Sequence, residues 1–379
     1  MFFVLPMVML TACAKNYDSI NFSSTPSTLI TNYTFDWDKI ADTSTSALLT
    51  SYWDSAGMYF NADNQVNYTF NYWPQAHALD ILVDAYMRTQ SATYTNYMSK
   101  WYTGVQAKNG NTFLGEFYDD MGWNALAMLR TWDVTQAAQW KTAVETVWTD
   151  IQTGWNDTEG GGIAWQKSQL YYKNTPANGP ACILAARLYE RFKDPNDLAW
   201  AQKIYTWEKN TLVDPGTGLV WDGVNANNDG VINTNYRFTY NQGLFIGAAL
   251  ELYNATGTAA YLSDALFTAK NVLVDPSLQT YGILKDEGQG DGGLFKGILI
   301  RYMTQLILNK DVSTTDKNSF IQFLQNNARS LWLKGTIRPG YFYGSNWAAT
   351  PSGETDLTTE ESGAMLFEAM ALLHKNGLL

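Results

Sequence analysis

The sequence predicts an all-α protein, an (α/α)6 barrel of six inner and six outer helices. Three observations carry that expectation. Helical periodicity recurs twelve times down the 379-residue chain. The helical stretches alternate between two kinds, one apolar almost all round and the next with a polar face. Each stretch of the first kind follows a loop rich in aromatics, Gly, Asn and Asp. A helix that is apolar on every side has to be covered on every side, whereas one with a polar face sits at the surface. Strict alternation therefore places one ring of helices inside another. An open helical array would alternate in the same way; closing the ring removes the ends that such an array has to cap.

The series begins with the amphipathic TSALLTSYW (45–53), followed by the first all-apolar stretch, QAHALDILVDAYMR (75–88). The same order repeats in TYTNYMSKWYTGV (93–105) and GWNALAMLRTW (122–132), then in TQAAQWKTAVETVWTDI (135–151) and GPACILAARLYERF (179–192). It continues through NDLAWAQKIYTWEKN (196–210) and NQGLFIGAALELY (241–253), and through AAYLSDALFTAKNVL (259–273) and GGLFKGILIRYMTQL (292–306). It closes with KNSFIQFLQNNARSLWLK (317–334) and ESGAMLFEAMALLHK (361–375). A pair repeat of roughly 50 to 70 residues suits arrays and toroids. The loops before the inner helices read NYTFNYWPQ, GEFYDDMGW, YYKNTPANGP, NYRFTYNQG, KDEGQGDGG and DLTTEES. In a closed ring they converge on one face, with the positive ends of six helices pointing at it.

Composition narrows the partners. The net charge of −11 argues against nucleic acid or anionic lipid. The 15 Trp, 23 Tyr and 17 Phe exceed what a core needs and suit a cleft that stacks the flat apolar faces of sugars. The apolar run Phe2–Leu10 is too short to span a bilayer and reads as the core of a signal peptide. Leu10-Thr11-Ala12-Cys13 resembles a bacterial lipobox, although no Lys or Arg precedes the apolar run. The expectation is cleavage before a lipidated Cys13, a Ser/Thr/Asn-rich tether over 14–33, and a single domain over 34–379. That places the protein as a bacterial membrane lipoprotein facing the periplasm or cell surface, and it is expected to be a monomer. Cys182 lies in an apolar stretch and is expected to be a buried small hydrophobe.

Asp119 and Asp120 stand side by side where the second inner helix begins. Helix capping is one reading of the pair, since Asp is a favoured cap and suits the first turn. A glycosidase pair is the other, since glycoside hydrolysis needs one carboxyl protonated and one ionised; two close carboxylates resist double ionisation, which raises one pKa. Other sites have less material. With only His77 and His374, a His-based metal site or Ser-His-Asp triad is hard to build. His77 is expected in the core or lining the cleft, and His374 in solvent. NANNDGVIN (225–233) echoes a calcium loop but lacks its first acidic residue and final Glu, so an Asx-rich turn is the simpler account. GQGDGGLFKG has neither a preceding strand nor a Gly-Lys-Ser/Thr, which excludes a phosphate cradle. No metal or cofactor is expected.

YDDMGWNALA, KNTPANGPACILAARLY, FTYNQGLFIGAALELY and DGGLFKGILIRY together resemble the signature segments of glycoside hydrolase family 76, in the same order, from about Trp37 to the C-terminus. The resemblance implies an (α/α)6 barrel and, for a bacterial member, a retaining endo-acting α-1,6-mannanase that cuts the backbone of fungal mannan. It implies Asp119 as nucleophile and Asp120 as acid/base. Trp73, Trp123, Trp165 and Tyr172 become candidates for stacking on mannose. Asn174, Asn178, Tyr240, Asn241, Gln242 and Asp291 become candidates for bonding its hydroxyls. Met121-Gly122 replaces the bulkier or acidic residue expected there. A transglycosylase of the same family and a non-catalytic glycan-binding lipoprotein are the competing readings.

Overall fold

A computed structural model describes residues 33–379. The signal segment ending at Cys13 and the 14–33 tether, but for Tyr33, lie outside the described residues. Trp37–Leu379 fold as one compact unit. Its outer helices are α1 (Trp37–Tyr52), α3 (Ala92–Lys108), α5 (Ala138–Gln152), α7 (Pro195–Leu212), α9 (Ala259–Val272) and α11 (Thr314–Leu333). Its inner helices are α2 (Tyr72–Thr89), α4 (Tyr118–Thr135), α6 (Thr175–Phe192), α8 (Thr239–Thr256), α10 (Gly292–Leu308) and α12 (Leu357–Lys375). Each inner helix packs on the next, and α12 packs back on α2, so the ring closes. The outer helices cover the gaps, with α1 lying against α12 and α3 against α2. The architecture is an (α/α)6 barrel, and the open array is excluded by the α12–α2 contact.

Glycine permits the closest approaches within the ring. A Cβ on Gly243 of α8 would lie 2.7 Å from the Leu299 Cα of α10, and one on Gly297 of α10 would lie 2.9 Å from the Ser362 Cα of α12. Gly122 serves a similar purpose: its Cβ would meet that of Pro180 on α6 at 3.1 Å. Met121 and Gly122 are both buried, so the unusual pair is a packing feature and does not shape the cleft.

The two ends of the barrel differ in how the chain turns. Four inner helices end on a left-handed residue, Gln90, Gln136, Lys193 or Gly257, whose N–H bonds to a carbonyl of the last turn. This cap satisfies an orphan carbonyl and stops the helix abruptly. Two residues then suffice to reach the next outer helix in each case. At the opposite end the loops are long and carry the β-structure. The hairpins are β1 (Trp53–Asp54) with β2 (Tyr59–Phe60), β6 (Gln279–Thr280) with β7 (Ile283–Leu284), and β8 (Thr336–Ile337) with β9 (Phe342–Tyr343). Between them lies an antiparallel three-stranded sheet of β3 (Ala164–Gln166), β4 (Gln169–Asn174) and β5 (Gly223–Val224). No described helix is long and apolar enough to cross a membrane.

Candidate active site

Four of the six inner helices start three or four residues before the expected position, and α8 starts two before it, so residues assigned to loops form their first turns. Within that turn, position decides what a side chain does. Successive residues are about 100° apart, so the second and fourth positions face nearly opposite ways. The second positions of α2, α4, α6 and α8 are Trp73, Asp119, Pro176 and Tyr240, and all four line one cleft of about 420 Å³ at the long-loop end of the barrel. Asp120, Trp123, Trp165, Tyr172, Asn174 and Asp291 line it too.

The fourth positions of α2, α6, α8 and α12 instead hold the preceding loop. Gln75 Oε1 accepts from the Phe60 N–H at 2.8 Å and its Nε2 donates to the Phe60 carbonyl at 2.9 Å. Asn178 does the same with Ile163, at 2.8 and 2.9 Å, and Gln242 with Val220, at 2.8 Å each way. Glu360 accepts from the Tyr343 N–H at 3.0 Å. Asn178 and Gln242 were expected to bond sugar hydroxyls. They are fully buried, absent from the cleft wall and committed to backbone, so the structure makes them staples. Asn241 is likewise buried off the cleft wall, donating to Asp222 Oδ1 at 3.2 Å.

Asp222 is the main feature missed in the sequence. It lines the cleft and accepts from Tyr240 Oη at 2.7 Å, Tyr172 Oη at 3.1 Å and Asn241 Nδ2. Burial raises its pKa, and the three donors oppose that rise. It falls outside every helical pattern and has no capping or motif spacing to mark it. Asn71, Phe117, Pro176 and Phe295 also line the cleft without having been anticipated. Phe295 stacks on Tyr240 with ring centroids 3.9 Å apart and planes within 3°.

The aspartate pair is asymmetric. Asp119 Oδ1 accepts from the Asp120 N–H and Oδ2 from Trp165 Nε1, both at 3.0 Å. Burial pushes Asp119 up to about 7, those two donors hold it down, and the Asp222 charge adds to the rise. Asp120 is raised well above the usual carboxylate range by burial and by the charges of Asp119 and Asp291. Among the described residues no donor to its carboxylate relieves it. Both side chains remain partly open to the cleft. Two adjacent groups of one chemical type thus differ in degree: both are raised by burial, but two donors hold Asp119 nearer its charged form than Asp120.

The remaining candidates resolve around the pair. Asp291 Oδ1 accepts from Trp73 Nε1 at 3.0 Å, orienting that ring. Asn174 is the N-cap of α6, its Oδ1 accepting from the Ala177 N–H at 3.2 Å, while it also lines the cleft. His77 lies buried beneath Trp73 and Trp123, and burial pushes it down to about 3, so it is neutral. His374 sits at the surface with Nδ1 3.1 Å from Asp38. Lys173 donates to the Gly162 carbonyl at 2.7 Å, not to a carboxylate. Asn225 and Asp229 accept from the Gly230 and Val231 N–H groups, which makes that loop an Asx-type turn. Among the described residues no group of three His, Cys, Asp or Glu is placed to hold a metal.

The sequence profile of glycosyl hydrolase family 76 matches residues 36–378. The chain belongs to that family. An inactive variant of the alpha-1,6-mannanase GH76A of Salegentibacter sp., with two consecutive aspartates replaced by asparagine and alpha-1,6-mannotriose bound, is 45% identical. The match covers 89% of this chain and 100% of that one, with a TM-score of 0.87. The Lin0763 protein from Listeria innocua is 38% identical over 90% of this chain and 99% of its own, with a TM-score of 0.84. The mannan endo-1,6-alpha-mannosidase DCW1 of Candida glabrata is 34% identical over 149 residues, 37% of this chain. The matched stretch spans only 33% of that relative's own length.

Proposed function

We propose that this protein is a retaining endo-acting glycoside hydrolase that cleaves α-1,6-mannosidic bonds in the backbone of fungal mannan. The observation that carries the reading is the unequal pair at the cleft floor. Asp119, held toward its charged form by Trp165 and the Asp120 N–H, attacks the anomeric carbon. Asp120, held toward its protonated form, gives its proton to the departing glycosidic oxygen. The C–O bond breaks, and the sugar is left esterified to Asp119. Asp120, now a base, takes a proton from water as the water oxygen attacks the same carbon, which frees Asp119 and restores both groups. Trp73, Trp123, Trp165 and Tyr172 provide ring faces for the mannose units, while Asn174, Tyr240, Asp222 and Asp291 provide polar contacts.

The kinship with an alpha-1,6-mannanase supports the linkage. Asp119 and Asp120 are the only consecutive aspartates in this chain, and consecutive aspartates are what the inactive Salegentibacter variant lacks. The test is incubation with unbranched α-1,6-mannan. Wild type is expected to release oligosaccharides, whereas Asp119→Asn and Asp120→Asn release none while still binding mannan. An inactive wild type that binds mannan would establish the glycan-binding alternative instead. An added acceptor sugar that diverts the products into longer chains would mark a transglycosylase. We also propose, from the lipobox alone, that Cys13 carries lipid and that the domain beyond the tether is displayed from a bacterial membrane. Cys13→Ala is then expected to shift the protein out of the membrane fraction.

A further inference from the structure

The loop before α10 lacks the kind of staple that holds the loops before α2, α6, α8 and α12. The fourth residue of α10 is Phe295, whose ring lines the cleft and offers no hydrogen bond. Yet this loop, residues 285–291, carries Asp291, the acceptor that orients Trp73 through its indole N–H at 3.0 Å. Gly288 and Gly290 within it take positive φ, 84° and 63°. Glycine leaves the backbone wide freedom, so this strap keeps its shape only through ties to its surroundings.

The ties come from two sides. Toward α12, Gln289 Oε1 accepts from the Asp356 N–H at 2.9 Å, and the Gly290 N–H donates to Asp356 Oδ2 at 2.6 Å. Toward α8, Glu287 Oε1 accepts from the Thr239 N–H at 2.9 Å and its Oε2 accepts from the Thr239 hydroxyl. Thr239 is buried at the first position of α8, where a helix leaves its N–H groups without internal partners. Tyr240, the next residue, lines the cleft. The main chain of Glu287 is held as well: a Cβ on Gly292 would collide with the Glu287 carbonyl oxygen, so the strap folds directly onto the start of α10.

One carboxylate thus joins the wall that carries Tyr240 to the strap that ends in Asp291 and, through Asp291, to Trp73 on α2. We infer that Glu287 is a positioning residue: its clasp on Thr239 holds the strap so that Asp291 keeps the Trp73 ring set against the cleft. Glu287 itself does not line the cleft. The inference rests on the mannanase reading above for what Trp73 binds. A carboxylate has one other use here. Lys296 is fully buried, its ammonium has no hydrogen-bond partner among the described residues, and the Glu287 charge favours its protonated form.

Glu287→Gln separates the clasp from the offset of that charge. Its amide oxygen accepts from the Thr239 N–H and its NH2 donates to the Thr239 hydroxyl, so both contacts survive while the charge is lost. Glu287→Ala loses both contacts and the charge. On an α-1,6-manno-oligosaccharide, Glu287→Ala is expected to raise KM about fivefold with kcat within about twofold of wild type, the pattern of lost binding. Glu287→Gln is expected to stay near wild type. Asp291→Ala should raise KM in the same way, and the double variant Glu287→Ala/Asp291→Ala no further, since both changes act through Trp73. Equal effects of Gln and Ala, or KM increases that multiply in the double variant, would overturn the clasp. If Glu287→Ala does not fold, Thr239→Val removes the hydroxyl contact alone; it should raise KM about twofold and add nothing to Asp291→Ala, and an unchanged KM would count against the inference. A wild type inactive on α-1,6-mannan would overturn the mannanase reading, and crystal structures would then decide the strap. The Trp73–Asp291 bond should persist in Glu287→Gln and be lost in Glu287→Ala; an intact bond in Glu287→Ala overturns the inference.

Discussion

Replacing Trp165 with Phe tests the origin of the asymmetry in the proposed catalytic pair. The indole N–H donates to Asp119 Oδ2 at 3.0 Å, and this bond favours the ionised carboxylate. Phe keeps an aromatic ring near Phe117 and Tyr172, whose centroids lie 5.1 and 5.7 Å from that of Trp165, and removes only the donor. A hydrogen bond to a charged group contributes about 1.5–3 kcal/mol, and each pKa unit corresponds to about 1.36 kcal/mol. The cleft admits some solvent to both residues, so the lower end applies, a rise of about one unit. As the proposed nucleophile, Asp119 would attack only when ionised, so activity should fall as pH drops through its pKa. Removing the donor raises that pKa and moves the acid limb upward, from near 7 toward 8. The assay is kcat/KM on an α-1,6-manno-oligosaccharide across pH, since that ratio reports ionisations of the free enzyme. The variant should lose about tenfold below the limb and much less on the plateau. A uniform loss with the limb in its wild-type place would show that Trp165 serves only as a sugar platform.

The opposite shift is expected for Asp222→Asn. Removing a charge that raises Asp119 should lower its pKa and move the acid limb down, read in the same profile. Asn178→Ala should leave KM nearly unchanged and cost about 2–4 kcal/mol of stability in denaturant unfolding, because buried backbone groups at Ile163 lose their partner. Glu208 is fully buried, its carboxyl oxygens have no protein partner, and burial pushes it up to about 8. The folded state therefore holds its proton, and its contribution to stability is greatest below pH 4.5 and declines as pH rises to 8. Glu208→Gln should gain on wild type by at most about 1.4 kcal/mol per pH unit across that window, followed by thermal unfolding at several pH values; a constant difference would show that the carboxyl ionises freely.

The barrel was legible because its cause is written into the sequence. A helix such as α8, whose residues from Thr239 to Leu252 are all buried, has no polar face to hide the fact. The starts of the inner helices were less legible. Their first turns hold Tyr72-Trp73-Pro74, Tyr118-Asp119-Asp120 and Thr175-Pro176, which break the apolar pattern because they face a cleft or carry a cap. The β-hairpins left little trace: β1, β2 and β5 to β9 are two residues long, and a strand of that length shows no alternation. Asp222 was hidden for the same reason. It lies in irregular chain between an outer helix and an inner one, and only folding brings it to Tyr172 and Tyr240.

The error over Asn178 and Gln242 follows from a rule that the structure supplies. Buried amides near a glycan cleft look alike in sequence whether they bind sugar or backbone. Tyr240 and Gln242 are two residues apart on α8, yet the first lines the cleft and the second locks Val220 on the other side. The same division separates Trp73 from Gln75 on α2 and Pro176 from Asn178 on α6. On α4 the fourth position is Met121, which cannot staple a loop through hydrogen bonds, and the second and third are Asp119 and Asp120. The aspartate pair therefore occupies helical positions that the barrel already points into its mouth. What distinguishes α4 is the donor that Trp165 brings to one aspartate and, among the described residues, the absence of any donor to the carboxylate of the other. The scaffold accounts for where the two carboxyl groups lie, and the β3 strand carrying Trp165 accounts for why they differ.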